Sequence, residues 1–534
     1  FFVVLMLRLL ILSSLLFVLV LGQDACNIAN STKIDCGYSG INQEGCNDNG
    51  CCWVPAGQGS STPWCFYGSN YTADPTLPPP SIPGSPFSST DLSTMYGYFM
   101  DNIDIKGLGG VVASPDNSTP GGSYFYHWER DGALSMNALQ LITTFAQHNS
   151  YMQSYVSWVL NVQNEPDPNG IDVRTEPKYN LPYGDVYTGG WCRPQTDGPG
   201  LRALTLINYA NSLLENDDSD YIQQYLWTGS SSYNGGAIKF DLDWIVSNWQ
   251  QNGCDLWEEV QSTDFFWNRF TMKAALYEGY SFAAKMGDTS SSQSYFNTAN
   301  AINATIMNHW NGEFIFESTN REEDAAVILG FNNGYSDDGF LSPTDPKVIA
   351  TINTLNTLFY FDYPINTADS TNNVPGILYG RYEGDTYAGG NPWILTTASL
   401  AQLFYRGATN FIGQNEVPHP DSLENWQKIF LRLNKSYHSI DDLKGYSPLQ
   451  FSRLVTDAGD AVLDRIRYHT QSSGFHLSEQ LDKTSGEELS ATDLTWSYAT
   501  VLKAMWHRNN ATSTTLLKHP ELSEDPFYQL VHWN

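Results

Sequence analysis

The sequence predicts an all-α fold for its large part, preceded by a small disulfide-rich domain, and three observations carry that expectation. From Phe87 onward, apolar residues recur at three- and four-residue spacing, while alternating strand patterns are rare and short. Six of the eight cysteines fall between Cys26 and Cys65. Between these regions runs TADPTLPPPSIPGSP, residues 72–86, whose prolines cannot join a helix or a central strand, so it reads as an extended, semi-rigid linker. A chain of 534 residues suffices for one large core plus an accessory module. The net charge of -30, from 57 acidic against 27 basic residues, would repel a phosphate backbone and argues against a nucleic-acid partner.

The elements follow in order. Residues 1–23 read as a secretory signal segment. Arg8 is the only charge before Asp24, Leu9 to Leu21 is nearly all apolar, and small residues follow at Gly22 and Ala25. The rival reading is an uncleaved signal anchor, against which stand the short apolar run and Arg8 inside it. No stable membrane span is expected once the segment is removed. Six N-x-[ST] triplets begin at Asn30, Asn70, Asn117, Asn303, Asn434 and Asn510. With the leader they fit N-glycosylation in an oxidising compartment, hence a secreted protein or one delivered to a lysosomal or vacuolar lumen.

Residues 24–68 hold Cys26, Cys36, Cys46, Cys51, Cys52 and Cys65. So short a stretch cannot bury enough apolar surface to fold alone, and cross-links are the expected remedy. Zinc is the competing use of clustered cysteines; the absence of histidine and of paired C-x2-C knuckles speaks against it. Spacing leaves fifteen pairings open. The segment CGYSGINQEGCNDNGCCW…PWCF resembles a trefoil (P-type) domain, with Lys33 near the place where an arginine is usual. That resemblance implies the pairs Cys26–Cys52, Cys36–Cys51 and Cys46–Cys65. It also implies either contact with a glycan or mucin or a stable cap with no ligand. Residues 69–86 are the linker.

The large domain, residues 87–534, shows helical stretches at 131–147, 201–216, 240–250, 265–287, 350–361, 393–408, 421–433 and 493–507, within a total of about a dozen. Five Gly-, Trp- and Pro-rich loops stand directly before helices: YFYHWERDGA, YTGGWCRPQTDGPG, NGCDLWEEV, GRYEGDTYAGGNPW and LSEQLDKTSGEELSATDLTW. If helices run alternately up and down, loops that enter every second helix share one face. These five would then converge on one end of a helical barrel, where a rigid scaffold places a site.

Glu258 and Glu259 are adjacent acids flanked by Leu256, Trp257 and Val260. Neighbours in sequence point different ways, so the two would differ in role. An acid in an apolar, Trp-lined setting has its charged form disfavoured, as a general acid requires. The alternative is a solvated pair at a helix start. Glu479, in HLSEQLDK, offers the second carboxyl that glycoside hydrolysis typically needs on the opposite face of the sugar. Arg130 and Asp131 place a donor beside an acceptor, as vicinal hydroxyls require; a local ion pair or helix cap is the plainer reading. Trp128, Trp191, Trp257 and Trp496 are either stacking platforms or core.

In combination, EPKYN…YTGGW.RPQTDGPGLRA, DLWEEV, the run from Gly380 to Trp393 and SEQLDK…SGEELSATDLTWSYA resemble glycoside hydrolase family 15, the glucoamylases, over nearly all of residues 87 to 510. The resemblance implies an (α/α)6 barrel and an inverting exo-hydrolase that releases glucose from the non-reducing ends of starch-like α-glucans. It implies Glu258 as general acid, Glu479 as general base and Glu259 as a substrate ligand. Arg130, Asp131 and Arg381 would hold hydroxyls of the terminal glucose. Tyr124, Trp128, Trp191, Trp257 and Trp496 would line the pocket, and the Leu256 backbone would add a contact. The sequence departs from the family at Cys192 and Cys254, where glycine and an aromatic residue are usual, and at Gly384, where an acid is usual. These departures touch outer subsites and leave open a preference for another α-glucoside, such as isomaltose, dextran or trehalose. A binding or adhesion protein with a dead hydrolase domain is the alternative of another class, and the presence of both Glu258 and Glu479 argues against it. No cofactor and no metal is expected, because the histidines are scattered and form no H-E-x-x-H. Cys192 and Cys254 are read either as a disulfide tying the second loop to the third or as two small buried thiols.

Overall fold

The computed structural model describes residues 84–518 except 230, 231 and 437; nearer the N-terminus it describes Cys26, Lys33, Gln43, Cys46, residues 52–55, Thr62 and residues 64–66. The signal segment, Asn30, Asn70, the pair Cys36–Cys51 and linker residues 69–83 lie outside the described residues. The chain divides into two compact units, residues 1–77 with 436–439 and residues 78–435 with 440–534.

In the first unit, β1 (Cys52–Trp53) pairs antiparallel with β2 (Cys65–Phe66). Disulfides join Cys26 to Cys52 and Cys46 to Cys65. Phe66 is fully buried, and the Lys33 ammonium stands 4.1 Å from its ring centroid, so a lysine here supplies a cation over an aromatic face.

The second unit is an (α/α)6 barrel. Its inner ring is α2 (Glu129–Ile142), α4 (Gly198–Glu215), α6 (Phe266–Lys285), α8 (Ala326–Gly334), α11 (Ile394–Gln414) and α14 (Thr495–Lys518). Each packs on the next, and α14 closes the ring against α2. Buried along most of their length, α6 and α11 carry apolar or small residues on most of their circumference, with Arg269, Lys273 and Glu278 on α6 and Arg406 on α11 among the few charged positions. Outside them lie α1 (Ser89–Asp101) on α14, α3 (Phe145–Asn164) on α2, α5 (Ala237–Asn248) on α4 and α7 (Thr289–Ile306) on α6. The outer layer also holds α13 (Pro448–Thr470) on α11, with α9 (Pro346–Asp362) and α12 (Leu423–Asn434) packed on each other; the short α10 (Pro364–Thr371) follows α9.

The helix expected over 131–147 is two helices. Thr143 and Thr144 are both extended, and Thr144 opens α3 with a capping box to Gln147, which ends α2. A Ser447–Pro448 start with a second capping box opens α13. Three short antiparallel pairs bracket the loops: β3 (Tyr126–Trp128) with β4 (Lys178–Asn180), β5 (Gly253–Cys254) with β6 (Gln261–Ser262), and β7 (Gln480–Leu481) with β8 (Glu488–Leu489). Of the glycosylation triplets, Asn117 is exposed, whereas Asn303, Asn434 and Asn510 are half-buried on helices α7, α12 and α14.

Candidate active site

The five loops read from the sequence precede five of the six inner helices, and they surround one pocket of about 240 Å³. Tyr124, Trp128, Arg130, Asp131, Trp191, Leu256, Trp257, Glu258, Glu259, Arg381, Glu479 and Trp496 all line it. Arg130 and Asp131 sit within the first turn of α2 rather than in the loop before it. Gly132 follows them because the His127 ring presses there: a Cβ would come within 2.2 Å of it.

Glu258 stands at the tip of a tight turn wound around Asp255. One Asp255 oxygen accepts from the amides of Glu259 (2.7 Å) and Val260 (2.9 Å), and the other accepts from Trp257 N (3.3 Å). The wrapping leaves Glu258 at φ +66°, a region side chains other than glycine's visit rarely. Its carboxylate accepts from Trp191 Nε1 (2.8 Å) and Gln195 Nε2 (2.7 Å), with Arg130 Nη1 at 3.5 Å. Burial pushes the Glu258 carboxyl up, and Arg130 with the two neutral donors pulls it partly back. The residual 17 % exposure of the side chain fits a group that faces the pocket.

Glu479 is 1 % exposed. It accepts from Ser490 Oγ (2.6 Å), Tyr124 OH (2.9 Å) and Gln480 Nε2 (3.2 Å). Burial raises this carboxyl too, opposed by Ser490 and Tyr124. The two acids thus occupy one pocket in separate hydrogen-bond shells.

Glu259 is held by two arginines. Arg381 Nη2 donates to one oxygen at 2.8 Å, while Arg321 Nη2 (2.8 Å) and Tyr382 OH (2.5 Å) donate to the other. Arg381 is itself fixed by Asp385, and Arg130 by Asp197 and Gln195. Burial raises Asp131 to about 7 against the opposing pull of Arg130. Gly384 occupies φ +74° at an exposed turn, which glycine enters without strain.

A sixth loop, FESTNREEDAA before α8, completes the ring of loops and is not among the five that the sequence marks. Arg321 from this loop also binds Asp255 at 2.5 Å, and Asp324 accepts from Trp257 Nε1 at 2.9 Å. Its charged composition carries none of the Trp and Gly signals of the other five. Tyr387 and Trp393, which also line the pocket, and the supporting Gln195, Asp197 and Ser490 lie inside loops that the sequence did single out.

Cys192 and Cys254 form a disulfide with Cα atoms 6.0 Å apart, so the second and third loops are covalently joined. Cys254 N also donates to Pro194 O at 2.8 Å. The bridge closes a sequence separation of 62, so replacing both cysteines by serine should cost about 2–4 kcal/mol, read as a lowered unfolding midpoint. An unchanged midpoint would show that the loops are held without it. Among the described residues, no group of three or more His, Cys, Asp or Glu is placed to hold a metal ion.

The sequence profile of the trefoil (P-type) domain matches residues 26–68. A glucoamylase of Blastobotrys adeninivorans is 32% identical over 448 residues, covering 79% of this chain and 71% of its own length. Glucoamylase-1 of Schizophyllum commune is 32% identical over 431 residues, covering 76% and 69%. The solved structure of the Hormoconis resinae glucoamylase superposes with a TM-score of 0.69 at 28% identity, covering 79% of this chain and 73% of that one. The profile of glycosyl hydrolases family 15 matches residues 102–506, a span that contains the five loops that line the pocket and the sixth that braces them. With that match across most of its length, this chain belongs to glycosyl hydrolase family 15.

Proposed function

We propose that the pocket removes single glucose units from the non-reducing ends of α-1,4-glucans such as starch and glycogen, releasing β-D-glucose. The observation that carries this reading is the pair of acids, the half-buried Glu258 and the buried Glu479, facing one small pocket from different loops. Glu258 protonates the glycosidic oxygen as the bond breaks. Glu479, ionised, takes a proton from a water that attacks the anomeric carbon from the other face, so the configuration inverts. Arg130, Asp131 and Arg381 bind hydroxyls of the terminal glucose, and Glu259, its carboxylate held in place by Arg321 and Arg381, is a further ligand. Tyr124, Trp128, Trp191, Trp257 and Trp496 are the walls, and the Leu256 backbone contributes a contact. The protein acts outside the cell, a setting supported by the apolar leader and the exposed Asn117. In the trefoil unit, Trp53 and the exposed Trp64 meet edge to face at 5.9 Å and offer an aromatic surface to a glycan.

Product analysis tests the reading. Maltose and soluble starch should yield glucose as the only early product, and trehalose should remain intact. Early oligosaccharides, or faster hydrolysis of trehalose, would contradict it. The dependence of kcat/KM on pH should be bell-shaped with an acidic optimum. Activity falls with acid as Glu479 is protonated and falls with base as Glu258 loses its proton. Burial raises both groups, so both limbs should lie above those of solvated carboxyls. An alkaline optimum would refute the pairing.

A further inference from the structure

Lys178, in the EPKYN stretch, takes no part in the chemistry above, yet it lies behind the pocket wall. It stands on β4 directly across from Trp128 on β3 and is 3 % exposed. A buried ammonium ordinarily has a carboxylate for a partner. This one stands instead among four rings, with centroids 3.8 Å away at Trp191, 4.2 Å at Tyr126, 4.3 Å at Trp128 and 4.4 Å at Tyr187. The rings brace one another: Trp128 meets Trp191 edge-on at 5.6 Å, and Tyr126 meets Tyr187 edge-on at 5.2 Å. Two of the four, Trp128 and Trp191, are also pocket walls, and the Trp191 N–H is the donor that holds Glu258.

The other cations near the pocket each have a carboxylate of their own. Arg130, whose Nη1 also approaches Glu258 at 3.5 Å, is paired with Asp197, Arg193 with Glu176, Arg321 with Asp255 and Glu259, and Arg381 with Asp385 and Glu259. The other groups that face Glu258 are Asp131 from α2, Tyr387 from the fourth loop and Glu479 from the fifth. Among the described residues, Lys178 is the cation beside Glu258 that has no carboxylate of its own.

We propose that Lys178 is a positioning residue of the active site: its caged ammonium fixes the Trp191 indole against Glu258 and supplies the uncompensated positive potential that keeps the acid's proton affinity in the working range. A cation over an indole face draws electron density from the ring and strengthens its N–H as a donor. Burial lowers Lys178 to about 8, opposed by Glu258, so the group stays charged throughout acidic pH. Lys178 also pulls the buried Glu258 carboxyl downward, after Arg130 and the two neutral donors.

The proposal rests on Glu258 being the acid. Its test is the pH dependence of kcat/KM on maltose for the full chain with Lys178→Gln, Lys178→Arg and Glu258→Gln. Lys178→Gln should move the basic limb upward by roughly half a pH unit to one unit while moving the acid limb less. Lys178→Arg, which keeps the charge, should leave the basic limb in place. A basic limb unmoved in Lys178→Gln, or moved equally in Lys178→Arg, would overturn the proposal. If Lys178→Gln does not fold, Lys178→Met fills the cage with an apolar chain and is read the same way. The two failures are distinguishable: an active Glu258→Gln refutes the acid assignment itself, whereas an inactive Glu258→Gln beside an unmoved Lys178→Gln profile refutes only the role of Lys178.

Discussion

Glu479→Gln and Glu258→Gln should each lower kcat on maltose by at least about 10²–10⁴-fold, the usual contribution of a positioned acid or base. The two should fail differently. Glu258→Gln cannot protonate a leaving group, so a substrate whose leaving group needs no proton, such as α-glucosyl fluoride, should recover much of the lost rate. Glu479→Gln cannot activate water, so the same substrate should recover little. Ser490 and Gln480 would still donate to the carbonyl oxygen of a glutamine at 479, and the Tyr124 hydroxyl, which faces the other oxygen, can turn to accept from its amide NH2, so its loss reads as chemistry rather than collapse. Glu259→Gln should appear chiefly in KM, because the side chain is clamped by Arg321 and Arg381 as a binding group. If Glu259→Gln proved the most damaging in kcat, the roles would have to be redistributed.

The largest structural effect should come from Arg202→Met. Arg202 in α4 is fully buried, within 2.8 Å of Glu129 and 2.6 Å of Asp241. It ties the start of α2, where Arg130 and Asp131 sit, to α4 and α5. Removing one partner of a buried ion cluster leaves the others unpaired, at a cost of about 3–5 kcal/mol. Burial already raises Glu129 and Asp241, and Arg202 is the largest force opposing it in both. Without Arg202 their folded-state pKa values rise further. A carboxyl with a raised folded pKa destabilises above its unfolded pKa, and that penalty fades as pH falls through the folded value. The variant should therefore be most impaired near neutral pH and partly recover in acid, measured as urea midpoints at pH 7 and pH 5. Equal losses at both would show that the carboxylates are not the cause.

Much of this architecture is legible in the sequence because local and global signals agree. Periodicity marks α4, α6 and α11, and DLWEEV and SEQLDK mark the two acids by their aromatic and glycine-rich surroundings. The helical pattern over 131–147 runs on from α2 into the start of α3, because the break lies in two threonine backbones and a capping box rather than in a glycine or proline. The arginine- and aspartate-rich face of α13 hides that helix, since Arg465 pairs with Asp369, and Asp460 with Arg508, only across the fold. The sixth loop is hidden for a similar reason. Arg321 among acids reads as a solvated surface, and its binding of Asp255 and Glu259 exists only once α8 closes the ring. Lys178 was visible within a motif, but its cage is assembled from β3, β4 and the second loop.

The most direct test of the central claim, inversion by Glu258 and Glu479 acting on opposite faces of the sugar, is the anomeric form of the first product. In proton NMR spectra taken within the first minutes of maltose hydrolysis, the glucose released from the non-reducing end should appear as the β-anomer, with α-glucose from that end growing in only as mutarotation proceeds. Glucose released first as the α-anomer would contradict the account, because it would require a covalent intermediate that an acid and a water-activating base do not form.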